Sequence, residues 1–260
     1  MSEKYWVPAI ERANQVINLI AREPGLHRLI DLSKTLNVNK SSMFSLLNTL
    51  ETLGWIVKEK GDTYSLGPTL GGYSGAYFRQ FNLLEFFYKE AALSINAINE
   101  TIQLGTLHGT DIVYVAKEES DSRVRLVSEP GMQFPAHATA LGKIQLTQFT
   151  YEKIQQLYSG KELVRVTPFT VTNLDELWKQ IETAKKTGYI CEEQEAVLGF
   201  YCAAAPIYNK EGRIVNAVSF TMSESSWGVK KEKAIDEIME LAKRLSIHAR
   251  FGQDAASKIP

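Results

Sequence analysis

The sequence predicts a two-domain α+β protein, with an N-terminal winged helix-turn-helix followed by a larger domain in which helices cover a largely antiparallel sheet. Three observations carry this. Up to Leu53, apolar residues recur in three successive runs at helical spacing. Two short strand-like runs then flank Gly61-Asp62, which is a hairpin signal. Past a glycine cluster, strand runs and helical runs mix without strict alternation, the pattern of an α+β domain. At 260 residues, 44% of them hydrophobic, the chain can bury one small core and one larger one.

The first helix is predicted from Val7 to Arg22, where Ile10, Ala13, Ile17, Leu19 and Ile20 recur at helical spacing. Pro8 lies in its first turn, where a missing N–H costs nothing, and Glu23-Pro24-Gly25 stops it. A second helix fits Arg28 to Leu36, with Leu29, Ile30, Leu32 and Leu36 as its apolar face and Asn37-Val38-Asn39 as the connection. The third runs from Lys40 to Leu53. Asn39 is its N-cap, Met43, Phe44, Leu46, Leu47, Leu50 and Leu53 are its expected buried face, and Gly54 ends it. Trp55–Lys60 and Thr63–Leu66 read as the two strands of the wing, which closes a first domain at residues 1–68. Gly67-Pro68 and Gly71, Gly72 and Gly75 then break the pattern. Residues 69–88 are assigned to a linker whose mostly apolar part, Ala76 to Phe87, suits a connecting helix. Its Tyr77, Phe78, Phe81, Phe86, Phe87 and Tyr88 suit a packing or dimer surface.

The second domain is placed at residues 89–253. Leu84–Ile98 reads as a helix that leads into it. Ile102–His108 and Ile112–Ala116 read as strands around Gly109-Thr110-Asp111, and Arg123–Val127 as a further strand. Leu141–Leu146, Tyr151–Leu157 and Leu174–Thr187 read as helices, the last ending at Gly188. Cys202–Tyr208 and Ile214–Thr221 form a second hairpin through Asn209-Lys210-Glu211-Gly212, and a helix from Lys230 to Ala249 closes the domain.

Composition removes several classes of protein. A formal net charge of −1 argues against non-specific coating of nucleic acid. Apolar runs fall short of a membrane span, and the opening MSEKYWVPAI lacks a basic segment followed by a long apolar one, so a cytoplasmic protein is expected. Two cysteines, Cys191 and Cys202, are too few for a disulfide framework and too far apart for a CxxC pair, so both are read as reduced thiols.

In a helix-turn-helix, the N-terminal part of the second motif helix enters the major groove of DNA. Here that places Asn39, Lys40, Ser41, Ser42 and Ser45 against the duplex. Lys40 suits a phosphate or a guanine, the serines suit phosphate or either base type, and Lys58 and Lys60 on the wing suit the backbone. The blander alternative is a helical protein-interaction domain with an ordinary polar face.

At this point the sequence resembles the IclR family of transcriptional regulators over nearly its whole length. Asn39-Lys40-Ser41-Ser42 through Leu46-Leu47-Asn48-Thr49-Leu50-Glu51-Thr52-Leu53-Gly54-Trp55 resembles that family's recognition helix and wing entry, and Tyr64-Ser65-Leu66-Gly67 the end of its wing. Gly131-Met132-Gln133-Phe134-Pro135-Ala136-His137-Ala138-Thr139-Ala140-Leu141-Gly142-Lys143 resembles its most distinctive motif. Gly188-Tyr189, Glu192-Glu193-Gln194-Glu195 and Gly199-Phe200-Tyr201-Cys202-Ala203-Ala204-Ala205-Pro206 resemble the second.

The resemblance implies a GAF-like C-terminal domain that binds a small organic or sugar acid, and double-stranded operator DNA as partner. It also implies repression by family default, and a homodimer or a dimer of dimers. Carried over by position, the effector contacts are the backbone N–H groups of Ala140 and Leu141, with Glu192, Cys202, Ser219 and Thr221. Amides at a helix start favour an anion, and Ser219 and Thr221, two apart on a strand, share a face. Two positions depart from the pattern. Phe44-Ser45 stands where many members have His-Arg, which removes a charged DNA ligand, and Glu192 stands where a shorter Asp is common.

An enzyme would need Cys202 as nucleophile, His137 as base and Glu192 as orienter, but the chain has no nucleophile elbow, phosphate loop, HExxH or dinucleotide fingerprint. Neither an enzymatic activity nor a cofactor is expected; a metal held by His137 with Cys202 or Glu192 is a further alternative, although no ligand cluster is local in sequence. His137 is read as structural, and of Glu192, Glu193 and Glu195 only one is expected to point inward.

Overall fold

The computed structural model describes residues 6–79, 83–121, 126 and 128–251, and the chain divides into two units, residues 1–80 and 81–260. In the first, α1 (Pro8–Arg22), α2 (Leu29–Thr35) and α3 (Lys40–Thr52) are followed by the strands β1 (Ile56–Lys58) and β2 (Tyr64–Leu66) and by α4 (Pro68–Arg79). Ala13, Val16 and Ile20 of α1 meet Leu32 of α2, Met43, Leu47 and Leu50 of α3, and Ile56 and Tyr64 of the wing in one core. The α2–α3 turn is held by Ser33, whose Oγ donates to Val38 O (2.7 Å) while Val38 N donates back to Ser33 O (3.0 Å). Asn37 takes the left-handed conformation there, which an Asn tolerates. A bridge between Arg28 and Thr63 and the bond from Tyr64 N to His27 O tie the hairpin to the start of α2, which fixes the wing beside the helices.

Two expectations for this unit change. Ile10, Ile30, Phe44 and Leu53, placed on apolar faces by periodicity, are exposed, and Val16 takes the core position on α1. Gly71, Gly72 and Gly75 do not break a helix but lie inside α4. Of the connecting helix expected over Ala76–Phe87, residues 76–79 are helical in α4 and 83–87 in α5 (Leu83–Ile98), and residues 80–82 lie outside the described set.

The second unit continues with β3 (Thr101–His108), β4 (Asp111–Glu118), β5 (Gln133–Pro135), a single 3-10 turn (Ala136–Ala138), α6 (Ala140–Leu146), α7 (Tyr151–Leu157) and α8 (Leu174–Thr187). It ends with β6 (Ile190–Glu193), β7 (Phe200–Tyr208), β8 (Ile214–Ser223) and α9 (Glu224–Phe251). The strands form one sheet in the order β5-β4-β3-β8-β7-β6 with every pair antiparallel. Helices α5 and α9 lie together, α9 covers β7 and β8 on one face, and α6 packs on β3, β7 and β8 from the other. Covered on both faces, the central strands read as continuous apolar runs rather than alternating ones. The two edge strands, β5 and β6, are only three and four residues long, too short for a periodicity to be read. The helix expected from Lys230 starts six residues earlier, at Glu224, with Gly228 inside it. The strand expected at Arg123–Val127 lies outside the described residues, except for Leu126.

Candidate functional site

On α3, Met43, Leu47 and Leu50 face the core, and Lys40, Ser41, Ser42, Phe44, Ser45, Asn48, Thr49 and Thr52 are exposed. Asn39 caps the helix: its Oδ1 accepts from Ser42 N (2.8 Å) and from Ser41 Oγ (2.8 Å). Ser45 Oγ donates to Ser41 O (3.1 Å), so both hydroxyl protons stay within the helix. On the wing, Lys58 pairs with Asp62 at 2.7 Å, and this contact raises the Lys58 pKa. Lys60 is exposed at the hairpin turn. Six of the seven sequence-derived DNA contacts are therefore exposed and, among the described residues, without an ion-pair partner, while Lys58 shares its charge with Asp62. Phe44, Asn48 and Thr52 join the outer face. Sequence reading missed Asn48, although it lies one helical turn beyond Ser45.

The second candidate lies on the face of the large sheet that α6 covers, and strand register builds it. Glu192 is the register partner of Cys202, Cys202 of Thr221, and Thr221 of Thr101, one row across β6, β7, β8 and β3. The neighbouring row pairs Ser219 with Gln103. Because alternate residues share a face, Gln103, Cys202, Ser219 and Thr221 all point toward α6. Gln103 is the hub: its Oε1 accepts from Thr221 Oγ1 (2.9 Å) and Ser219 Oγ (3.5 Å), and its Nε2 donates to Ser128 Oγ (2.5 Å). Cys202 Sγ lies 3.4 Å from Thr221 Oγ1.

Glu192 Oε1 accepts from Glu195 N and from Ala196 N (3.1 Å), so its carboxylate holds the loop that leads into β7. Burial pushes the Glu192 pKa up to about 7, against the pull of the Lys143 charge and of those two N–H donors. Behind it, Lys143 of α6 is fully buried and pairs with Glu195, whose Oε2 also accepts from Val171 N (3.0 Å). Two of the three neighbouring acids thus point inward, not one, since Glu195 is the counter-charge of a buried ammonium. Thr139 Oγ1 caps α6 by accepting from Gly142 N (3.1 Å). A Cβ on Gly142 would fall onto the backbone of Ala136, so only glycine lets the helix start sit this close to the preceding turn.

Five of the six sequence-derived effector positions, Ala140, Leu141, Glu192, Cys202 and Ser219, line one cavity, together with Gln103, Tyr114, Val197 and Phe200. Thr221 stands behind it with its hydroxyl committed to Gln103. The space enclosed is about 10 Å³, room for roughly one water. Sequence reading missed Gln103 and Lys143. The signal for Gln103 was a lone amide between Ile102 and Leu104 in an apolar strand.

His137 is buried and its Nε2–H donates to Val164 O (3.0 Å), and burial lowers its pKa. Burial pushes the Cys202 thiol well above its ordinary range. A cysteine nucleophile with a histidine base therefore has no support here: the thiol is held protonated beside a threonine, and the histidine serves a backbone carbonyl. Among the described residues, no three His, Cys, Asp or Glu side chains gather as metal ligands.

Comparison with known proteins bears on both units. Residues 9–60 match the IclR helix-turn-helix domain, and residues 89–247, well over half of the chain, match the family described as bacterial transcriptional regulator IclR C-terminal. The HTH-type transcriptional repressor AllR of Salmonella paratyphi A is 28% identical over 218 residues, covering 82% of this chain and 79% of the relative. The HTH-type transcriptional regulator XynR of Escherichia coli is 26% identical over 216 residues, covering 83% and 86%. The crystal structure of the Thermotoga maritima IclR superposes with a TM-score of 0.75 at 25% identity, covering 94% of this chain and 99% of that one. With its recognition helix, its wing and its helix-covered antiparallel sheet all accounted for, the chain belongs to the IclR family of bacterial transcriptional regulators.

Proposed function

We propose that the protein is a repressor that binds a pseudo-palindromic DNA operator through α3 and the wing, and that a small organic or sugar acid changes this affinity by entering the α6-facing sheet pocket, which opens from the one-water space it encloses without ligand. The observation that carries the reading is the convergence of Glu192 and Thr221 from one buried row, and of Ser219 and Gln103 from the next, on one face of a mostly apolar sheet. Few polar groups in an apolar cavity is how a small-ligand site gains orientation without excess desolvation. Ala140 and Leu141 line the same cavity, and Glu192 suits a ligand hydroxyl. Lys40 and Ser42 meet phosphates and base edges, Ser41 and Ser45 offer their lone pairs to base-edge donors, Asn39 sets the helix start, and Lys58 and Lys60 lie on the DNA backbone. The protein works in the cytoplasm as a homodimer or a dimer of dimers, since two-fold readers match two-fold sites. It carries no enzymatic activity and no cofactor.

The test joins two measurements on the full-length protein. A thermal-shift screen of organic, sugar and aromatic acids, 4-hydroxybenzoate among them because a neighbour of the same fold was crystallised with it, identifies ligands by a raised midpoint. Gel shifts against the DNA flanking the protein's own coding region then show an affinity that falls steeply with salt and changes with the ligand found. A salt-insensitive or absent shift overturns the reading.

A further inference from the structure

Periodicity assigns Phe44 to the core of the helix-turn-helix, and the structure puts it outside: 61% of its surface is exposed, against 0% for its neighbour Met43. It occupies the flank of α3 one helical turn after Lys40 and one turn before Asn48, both exposed. The polar residues around it are largely satisfied within the helix. Ser41 Oγ donates to the Asn39 cap, Ser45 Oγ to Ser41 O, Thr49 Oγ1 to Ser45 O (2.9 Å) and Thr52 Oγ1 to Asn48 O (2.8 Å). Those hydroxyls present lone pairs, not protons. The side chains that reach furthest from the first two turns are then the ammonium of Lys40 and the ring of Phe44.

A phenyl ring has no donor or acceptor with which to read N7, O6, N6 or N4. The major groove offers it one apolar group, the 5-methyl of thymine. From the exposure of Phe44 and the internal commitment of its hydroxyl neighbours, we propose that Phe44 is a specificity-determining residue that covers a thymine methyl in each operator half-site. The proposal rests on the reading of α3 as the groove-entering helix and adds to it which base is read and by what chemistry. It also explains how an unpartnered aromatic ring is kept at this position: it leaves water only in the complex, where covering apolar surface favours binding.

The experiment uses the full-length protein and duplexes selected by it from a randomised pool. Each thymine of the selected site is replaced in turn by deoxyuridine, which keeps every hydrogen-bonding group and removes only the methyl. The native protein is expected to lose about four-fold in affinity at one thymine of each half-site, the worth of one buried methyl. Phe44→Ala binds the thymine and uracil duplexes equally, with an unchanged salt slope, because no charge is lost. Phe44→Leu keeps an apolar side chain at the site and retains the preference for thymine. Indifference of the native protein to every uracil replacement overturns the proposal, as does an undiminished uracil penalty in Phe44→Ala. Failure of the DNA-binding reading is a separate result, in which the native protein selects no duplex at all.

Discussion

Lys143 and Glu195 form an ion pair between α6 and the loop before β7, with the lysine wholly out of water and the glutamate nearly so. The second oxygen of Glu195 accepts from Val171 N and its carbonyl from Thr170 Oγ1 (2.7 Å), so one buried pair pins three chain segments around the sheet pocket. Burial lowers the Lys143 pKa even though Glu195 pulls it up.

Removing one partner leaves an uncompensated buried charge. Lys143→Met or Glu195→Gln alone is expected to destabilise the C-terminal unit by about 3–5 kcal/mol. The double variant Lys143→Met with Glu195→Gln recovers most of that loss, because no charge is left buried and the Gln amide oxygen still accepts from Val171 N. Urea unfolding of the four proteins gives the coupling, and strictly additive losses would mean the pair does not act as one.

Glu192 should make stability fall as pH rises. Its folded pKa, about 7, lies above the ordinary carboxylate value, so the folded state holds a proton that the unfolded chain has released. Its favourable contribution is present below about pH 4.5 and is lost as the pH approaches 7, a change of at most about 3 kcal/mol. His137, its pKa lowered by burial, acts with the opposite sign as the pH falls. The measurement is therefore the difference between native protein and Glu192→Gln, by denaturant unfolding from pH 4.5 to 8. The variant gains on the native protein as pH rises, and a constant difference would show that Glu192 does not titrate in this range.

Ser219→Ala with Thr221→Val strips Gln103 Oε1 of both donors. The expected cost is about 1–3 kcal/mol for a buried amide oxygen left without a partner. Operator affinity in gel shifts should remain, since the pocket and α3 belong to different units. The thermal shift with the acid found by screening should vanish. Equal loss of both would move the effector site elsewhere.

The cap and the charge of α3 separate in the same assay. Asn39→Ala removes the acceptor for Ser42 N and is expected to cost about 1 kcal/mol of stability. Lys40→Ala should leave stability alone and reduce the slope of log affinity against log salt by about one for each helix on the DNA. A light-scattering mass of one chain at working concentration would remove the two-fold model.

Much of this was legible in the residues. The starts and stops of α1, α7 and α8 and both hairpins follow from caps, glycines and apolar spacing, all of which act within a few residues of chain. Asn39 as N-cap and Gly188 in the left-handed conformation at the end of α8 are of the same local kind. The motifs named the family, and with it five of the residues that line the pocket.

Tertiary structure decided the rest. A helical stripe tells which residues lie near one side, not how far a neighbour's cover extends, and so Met43 is buried while Phe44, next to it on the helix, is exposed. All seven residues of α6 are buried because the sheet and other helices surround it, which makes Lys143 an interior charge that no spacing could reveal. The row from Glu192 through Cys202 to Thr221 exists only through the register of β6, β7 and β8. Register is set by hydrogen bonds between strands that are separate in sequence, so what α3 and the hairpins are was written locally, and what the pocket contains was decided by the pairing of the sheet.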